Sequence, residues 1–201
     1  MSNKQNSSDA LSLLTGWILA SSIGWAAGLA LGMLLTLVAT NLSWLNEDQF
    51  FAYATLISLG FTLGTAQWVV MRRHLPQPVR WVTATLIGHL LCLIMIMGSN
   101  LARFGRAGVW DDALLLGLLG TAIGTSQWWI LRHHYRKAGL WVLATAVGFL
   151  CFMWIIIVPA HTLGELVFRG TIVGALAAAV TGVTLVWLVH RPLVTASQRP
   201  V

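Results

Sequence analysis

GTAQWVVMRR (residues 64–73) returns as GTSQWWILRH (residues 124–133), at an offset of 60. Both copies set a glutamine beside a tryptophan inside an apolar run and close that run with basic residues. The surrounding sequence repeats as well. Between residues 59–88 and 119–148, 13 of 30 aligned positions are identical without a gap. The shared unit reads as one helix, a basic turn and a second helix running back.

Composition names the solvent. Of 201 residues 57% are hydrophobic and 9% charged, with a mean hydropathy of +0.78. A soluble domain carries about 25% charged residues, so a chain this apolar is built for lipid. The net charge of +6 does not indicate nucleic acid. Its basic residues punctuate apolar runs instead of clustering on a polar module, which is the pattern of membrane topology. Cys92 and Cys151 fall inside apolar runs and read as reduced packing residues. Neither C-x-x-C nor H-E-x-x-H occurs, so no metal site is expected.

A membrane helix needs about 20 largely apolar residues. Six segments approach that length: residues 11–39, 50–71, 81–101, 113–131, 140–160 and 166–189. The expected fold is all-α, a polytopic bundle of six transmembrane helices arranged as three tandem hairpins (11–73, 81–134 and 140–191). Residues 1–10 are expected to be a mobile polar tail, 11–191 a single transmembrane domain and 192–201 a cytoplasmic tail. The first apolar run exceeds the length of a signal-peptide core and is expected to be retained.

Loop charge sets the expected orientation. With both termini on one side, that side holds Lys4, Arg72, Arg73, Arg80, Arg132, Arg136, Lys137, Arg191 and Arg199. The other holds Arg103, Arg106 and Arg169. A split of nine basic residues to three places both termini in the cytoplasm. A hairpin contains two spans, so all copies share one orientation and are related by an axis along the membrane normal. A pseudo-threefold bundle follows. WILASSIG (17–24) extends the match to WVTATLIG (81–88) and WVLATAVG (141–148). GALAAAVTGVTLVWLVHR (174–191) aligns Ala178 and Gly182 with Gly60 and Gly64.

Small residues spaced by four mark helix-packing faces: Gly60 and Gly64, Gly120 and Gly124, Gly170 and Gly174, Ala84 and Gly88, Ala144 and Gly148. In lipid, such residues let backbones approach and gain dispersion contacts. Gating hinges are the alternative reading. Gln67 and Gln127 share the glycine stripe of their helices. They point inward, with Thr85 and Thr145 as further polar groups at membrane depth. Interhelical bonding is the favoured reading, and two polar groups lining a solute path is the other. The third copy aligns Leu185 with them, which forbids a ring of three glutamines. Trp68, Trp81, Trp128, Trp129, Trp141 and Trp187 are expected at the membrane boundary, where indoles anchor.

His89 is the one deep ionisable group, about 12 Å past Trp81 by helical rise. Its repeat counterparts are Trp25 and Phe149. It reads as a neutral imidazole bonded to Thr85 or to a neighbouring helix. Intramembrane ionisable residues are also site candidates, so an axial ligand for a tetrapyrrole, or a proton relay, stays open. Asp111 and Asp112 suit the positive end of the fourth helix dipole. With neither a nucleophile–base pair nor paired carboxylates, no enzyme is expected.

The repeated G-x-x-x-G-x-x-Q-W-x-x-L-R block (60–72, with Met71 for the leucine, and 120–132) is followed each time by W-V-x-A-T-x-x-G. In these motifs the chain resembles an uncharacterised family of multi-pass bacterial membrane proteins, of the kind found in cyanobacteria and Chloroflexota. The resemblance covers most of the chain and implies a bacterial origin, with no mechanism attached. Three functions compete. The first is a non-enzymatic accessory of a larger membrane complex or a homo-oligomer. The second is a small-solute transporter or its substrate-binding membrane subunit, since vitamin-capturing transporter subunits also have six helices in a chain of this size. The third is a tetrapyrrole or pigment protein using His89.

Overall fold

The computed structural model describes residues 2–39, 47–98, 108–154 and 162–193. The described residues form six principal helices: α1 (Ser2–Ala39), α2 (Glu47–Met71), α3 (Val79–Gly98), α4 (Val109–Leu131), α5 (Leu140–Leu150) and α6 (Leu163–Val189). All of them except α5 are long and apolar enough to cross a membrane. The chain is therefore all-α and multi-pass in character. Residues 2–10, expected as a loose tail, continue α1. They contain neither glycine nor proline to stop a helix.

Chain chemistry sets the helix ends. Met71 closes α2 ahead of Pro76 and Pro78, and Pro78 opens the first turn of α3, accepting from the Trp81 backbone N–H at 3.0 Å. Proline is tolerated there because its missing N–H would have no helical partner. Thr162 caps α6 by accepting from the Glu165 N–H at 3.1 Å, in a T-x-x-E arrangement. The fifth span, expected over 140–160, is helix to Leu150, turns at residues 151–152 and is helical again at 153–154, where the described residues stop. The Cys151 and Phe152 N–H groups turn back to Gly148 and Phe149 at 3.2 and 3.0 Å, a tightened final turn. Residues 155–161 lie outside the described ones, as do 99–101 of the third expected span and the tail from 194.

Each helix packs against its neighbours in sequence, and α6 returns to α1, so the six helices close a ring in chain order. Glycines set how near the backbones come. A Cβ built at Gly24 would lie 2.8 Å from Leu63 Cα, and one at Gly88 would lie 2.7 Å from Ile123 Cα. Outer faces carry exposed Leu19, Phe61, Ile94, Leu114, Leu143 and Val183, which suits hydrocarbon surroundings. The largest buried cluster gathers Trp17, Met71, Trp81, Leu131, Trp141 and Leu185 near the end of the ring that holds the 72–78 and 132–139 turns.

Those turns are stitched together. The Tyr135 hydroxyl donates to the His74 carbonyl at 3.0 Å. The Arg136 N–H donates to the Arg191 carbonyl at 3.1 Å, and the Leu193 N–H to the His134 carbonyl at 3.0 Å. Both repeated turns and the segment after α6 thus meet at one basic end.

Candidate functional site

Three indoles meet inside the ring. Trp17, Trp81 and Trp141 come from α1, α3 and α5 and are almost wholly buried. Their ring centroids stand 5.9, 5.6 and 5.6 Å apart, with interplanar angles of 77°, 78° and 73°. Every pair is edge-to-face, the geometry that sets the positive edge of one ring against the negative face of the next. Trp81 and Trp141 are therefore core residues and not the interfacial anchors expected of them. Their stripe faces the ring interior, and a buried indole needs an acceptor, which the glutamines provide.

The Trp81 Nε1–H donates to Gln67 Oε1 at 3.0 Å, and Gln67 Nε2 donates to the Ser21 hydroxyl at 3.1 Å. Sixty residues later the set recurs. The Trp141 Nε1–H donates to Gln127 Oε1 at 2.9 Å, and Gln127 Nε2 donates to the Thr85 hydroxyl at 2.9 Å. Each carboxamide thus joins three helices. Trp17 has no glutamine; its Nε1–H donates to the Thr181 hydroxyl of α6 at 3.0 Å. Leu185, aligned with the glutamines in sequence, is a fully buried apolar residue one turn further on. Thr85 and Thr145 return their own hydroxyls to the Trp81 and Trp141 carbonyls at 2.9 and 2.8 Å.

The remaining part of the motif lies outside this core. Trp68 and Trp128 are half-buried, and the arginine four residues on folds back over each. Arg72 Cζ lies 5.9 Å from the Trp68 ring centroid, and Arg132 Cζ lies 5.2 Å from Trp128 and 4.1 Å from Trp129. Arg191 does the same over Trp187 at 4.3 Å. The spacing Q-W-x-x-x-R therefore sends the carboxamide inward and stacks the cation on the neighbouring indole.

A small cavity of about 40 Å³ sits beside the indoles, bordered by Ser21, Gln67, Gln127, Thr145 and Thr181. That is room for one water among several polar partners. His89 is fully buried on α3. Its Nδ1–H donates to the Thr85 carbonyl at 2.8 Å, which leaves Nε2 as a lone-pair acceptor, and Nε2 is buried with no partner. A Cβ at Gly60 would lie 3.0 Å from His89 Cβ. The equivalent approaches are Gly120 to Phe149 Cβ at 2.9 Å and Gly174 to Trp25 Cδ1 at 2.5 Å.

The other small residues singled out by spacing also lie at helix contacts. A Cβ at Gly64 would meet Thr85, one at Gly124 Val142, one at Gly148 Ala177, and one at Gly170 the Leu29 side chain. Ala84 and Ala144 are buried. Asp111 and Asp112 occupy the first turn of α4, and Asp112 is buried. Sequence reasoning missed Trp17, Ser21 and Thr181 as members of the polar core. The available signal was the WILASSIG match, which places Trp17 with Trp81 and Ser21 with Thr85.

Electrostatics at the basic end follow from crowding. Burial, then the Arg73 guanidinium, holds His74 below its ordinary value. Burial, then His133, does the same to His134. Burial pushes the Tyr135 phenol up. Among the described residues no group of three or more His, Cys, Asp or Glu side chains is placed to hold a metal ion. Compared with known proteins, the chain matches no family model, no curated protein and no solved structure.

Proposed function

We propose that this chain is a non-enzymatic helix bundle of a bacterial plasma or thylakoid membrane, acting as an accessory to a larger membrane assembly. The observation that carries this reading is that both glutamines are engaged on both sides of the carboxamide by neighbouring helices. Each has its carbonyl taken by an indole and its amide taken by a hydroxyl of a third helix. A solute path would need those groups free. Spent this way they rigidify the interior, and the apolar outer wall is what remains to meet partners. The motif resemblance supports the bacterial origin. The nine-to-three division of basic residues supports cytoplasmic termini.

The bundle is read as three hairpins about a pseudo-threefold axis. Support comes from the closed helix ring, the indole triad and the matched approaches of Gly60, Gly120 and Gly174 to His89, Phe149 and Trp25. In that register Thr181 stands where Gln67 and Gln127 stand, and the third copy is displaced by one turn from its sequence alignment.

Affinity purification from native membranes in mild detergent, followed by cross-linking and mass spectrometry, tests the role. A stoichiometric larger partner or a defined homo-oligomer is expected. Recovery as a lone monomer, with a metabolite that raises its melting temperature only while Gln67 is intact, would overturn the reading in favour of transport. A second reading rests on the orphan Nε2 of His89, a free imidazole ligand at membrane depth. It requires a purified protein with a Soret or Qy band that disappears in His89→Ala.

A further inference from the structure

An open groove of about 980 Å³ runs down the outside of the bundle between α3 and α4. Its two ends differ. At the basic end it is bordered by Arg80, His133 and His134, and among the described residues no acidic side chain lines it. Towards the middle of the membrane it is bordered by Ile87, Leu91 and Ala122. Ile87 and Leu91 are large apolar residues left 47% and 44% exposed, so the groove floor has no protein cover.

We propose that this groove is a binding site for one anionic phospholipid, with its phosphate diester at Arg80 and an acyl chain along Ile87 and Leu91. Length decides between a lipid and a partner helix. From Arg80 to Leu91 the groove follows eleven residues of helix, about 16 Å at 1.5 Å per residue. One leaflet is about half of a 30 Å hydrocarbon core. The groove therefore spans one leaflet, whereas a crossing helix would need an apolar face of twice that depth. Charge decides between lipid classes. Arg80 carries a fixed positive charge with no carboxylate in the groove to neutralise it, and the imidazoles of His133 and His134 stand on the facing wall. Near a membrane surface one basic residue favours an anionic lipid by about fivefold. Close approach of α3 and α4 at Gly88 sets the groove floor, since Gly88 abuts Ile123 and Ser126.

This inference rests on immersion in a bilayer and is independent of the assembly role, which the pull-down tests separately. The experiment uses the full chain, delipidated in detergent, with native mass spectrometry and melting temperature read against added phosphatidylglycerol, phosphatidylcholine and glycerol phosphate. Phosphatidylglycerol should be retained and should raise the melting temperature more than phosphatidylcholine does. Soluble glycerol phosphate should do neither. Arg80→Gln changes an exposed side chain and should lower phosphatidylglycerol retention about fivefold and phosphatidylcholine retention less, so that the preference between them shrinks. Ile87→Trp, which fills the groove, should lower retention of both lipids. Equal retention of the two lipids, or an unaltered preference in Arg80→Gln, would overturn the proposal. Stabilisation by glycerol phosphate alone would overturn it in favour of a free-phosphate site. A dimer abolished by Ile87→Trp would reassign the groove to a second copy of the chain.

Discussion

Gln67 is a side chain whose four bonding positions matter more than its hydrophobic cost. Placed in lipid it would be a liability; placed between Ser21 and Trp81 it joins α1, α2 and α3. An interhelical hydrogen bond in a membrane averages about 0.6 kcal/mol, so two of them contribute about 1 kcal/mol. Gln67→Leu removes both and strands a buried indole N–H, so it should destabilise the bundle by about 1–2 kcal/mol. Steric-trap unfolding in micelles measures this. Combined with Trp81→Phe the losses should be less than additive, because the second change removes the stranded donor. Additive losses would mean that the two side chains do not act on each other. At the basic end, His74 and His134 are held below the ordinary histidine value, mainly by burial. Unfolding releases them to an ordinary pKa of about 6.5. The unfolded chain therefore binds more protons just below that pH, and stability falls as pH drops through it. A double variant, His74→Gln with His134→Gln, should lose less melting temperature than the wild type between neutral and mildly acidic buffer.

At the scale of the helix, glycine spacing matters only where a second backbone arrives. Gly88 and Gly117 are both helical, yet a Cβ at Gly88 would sit 2.7 Å from Ile123 Cα, while one at Gly117 would meet nothing within 4 Å. Alanine gains up to about 1 kcal/mol of helix propensity over glycine at either position. Gly117→Ala should keep that gain. Gly88→Ala should lose it and more, because α3 and α4 must part. Equal melting temperatures for the two variants would remove close packing as the reason for Gly88. The same contrast explains what could be read in advance. Helix existence was legible because apolar runs of about 20 residues have few other uses. The inward face of Gln67 was legible from its stripe with Gly60 and Gly64. The destination of Trp81 was not, because an indole near a basic turn suits an interface as well as a core, and only the partner on another helix decides. The register of α6 was not legible either. Its run of alanine and valine fits several alignments by turns of four, and Thr181 rather than Leu185 is the residue that accepts the Trp17 Nε1–H.

Across the whole molecule, both repeated turns and the segment after α6 are tied together. Tyr135 bonds to the His74 carbonyl, and the backbone around it pairs with residues 191–193. All three must therefore lie on one face of the bilayer. Gly108, which precedes α4, lies a full apolar helix of 23 residues away from the turn at Arg132. At 1.5 Å per residue that helix is about 35 Å long, enough to cross the hydrocarbon. Single cysteines introduced at Gln77, Lys137 and Arg191 should react with an impermeant maleimide from the same side. One at Gly108 should react only from the other. The basic excess requires the first three to be shielded in intact cells and open in inverted vesicles. Labelling of Gln77 and Lys137 from opposite sides would break the bundle described here, because the Tyr135–His74 bond could not form. Labelling of all three from outside the cell would keep the bundle and invert it, which would place the groove at Arg80 in the outer leaflet.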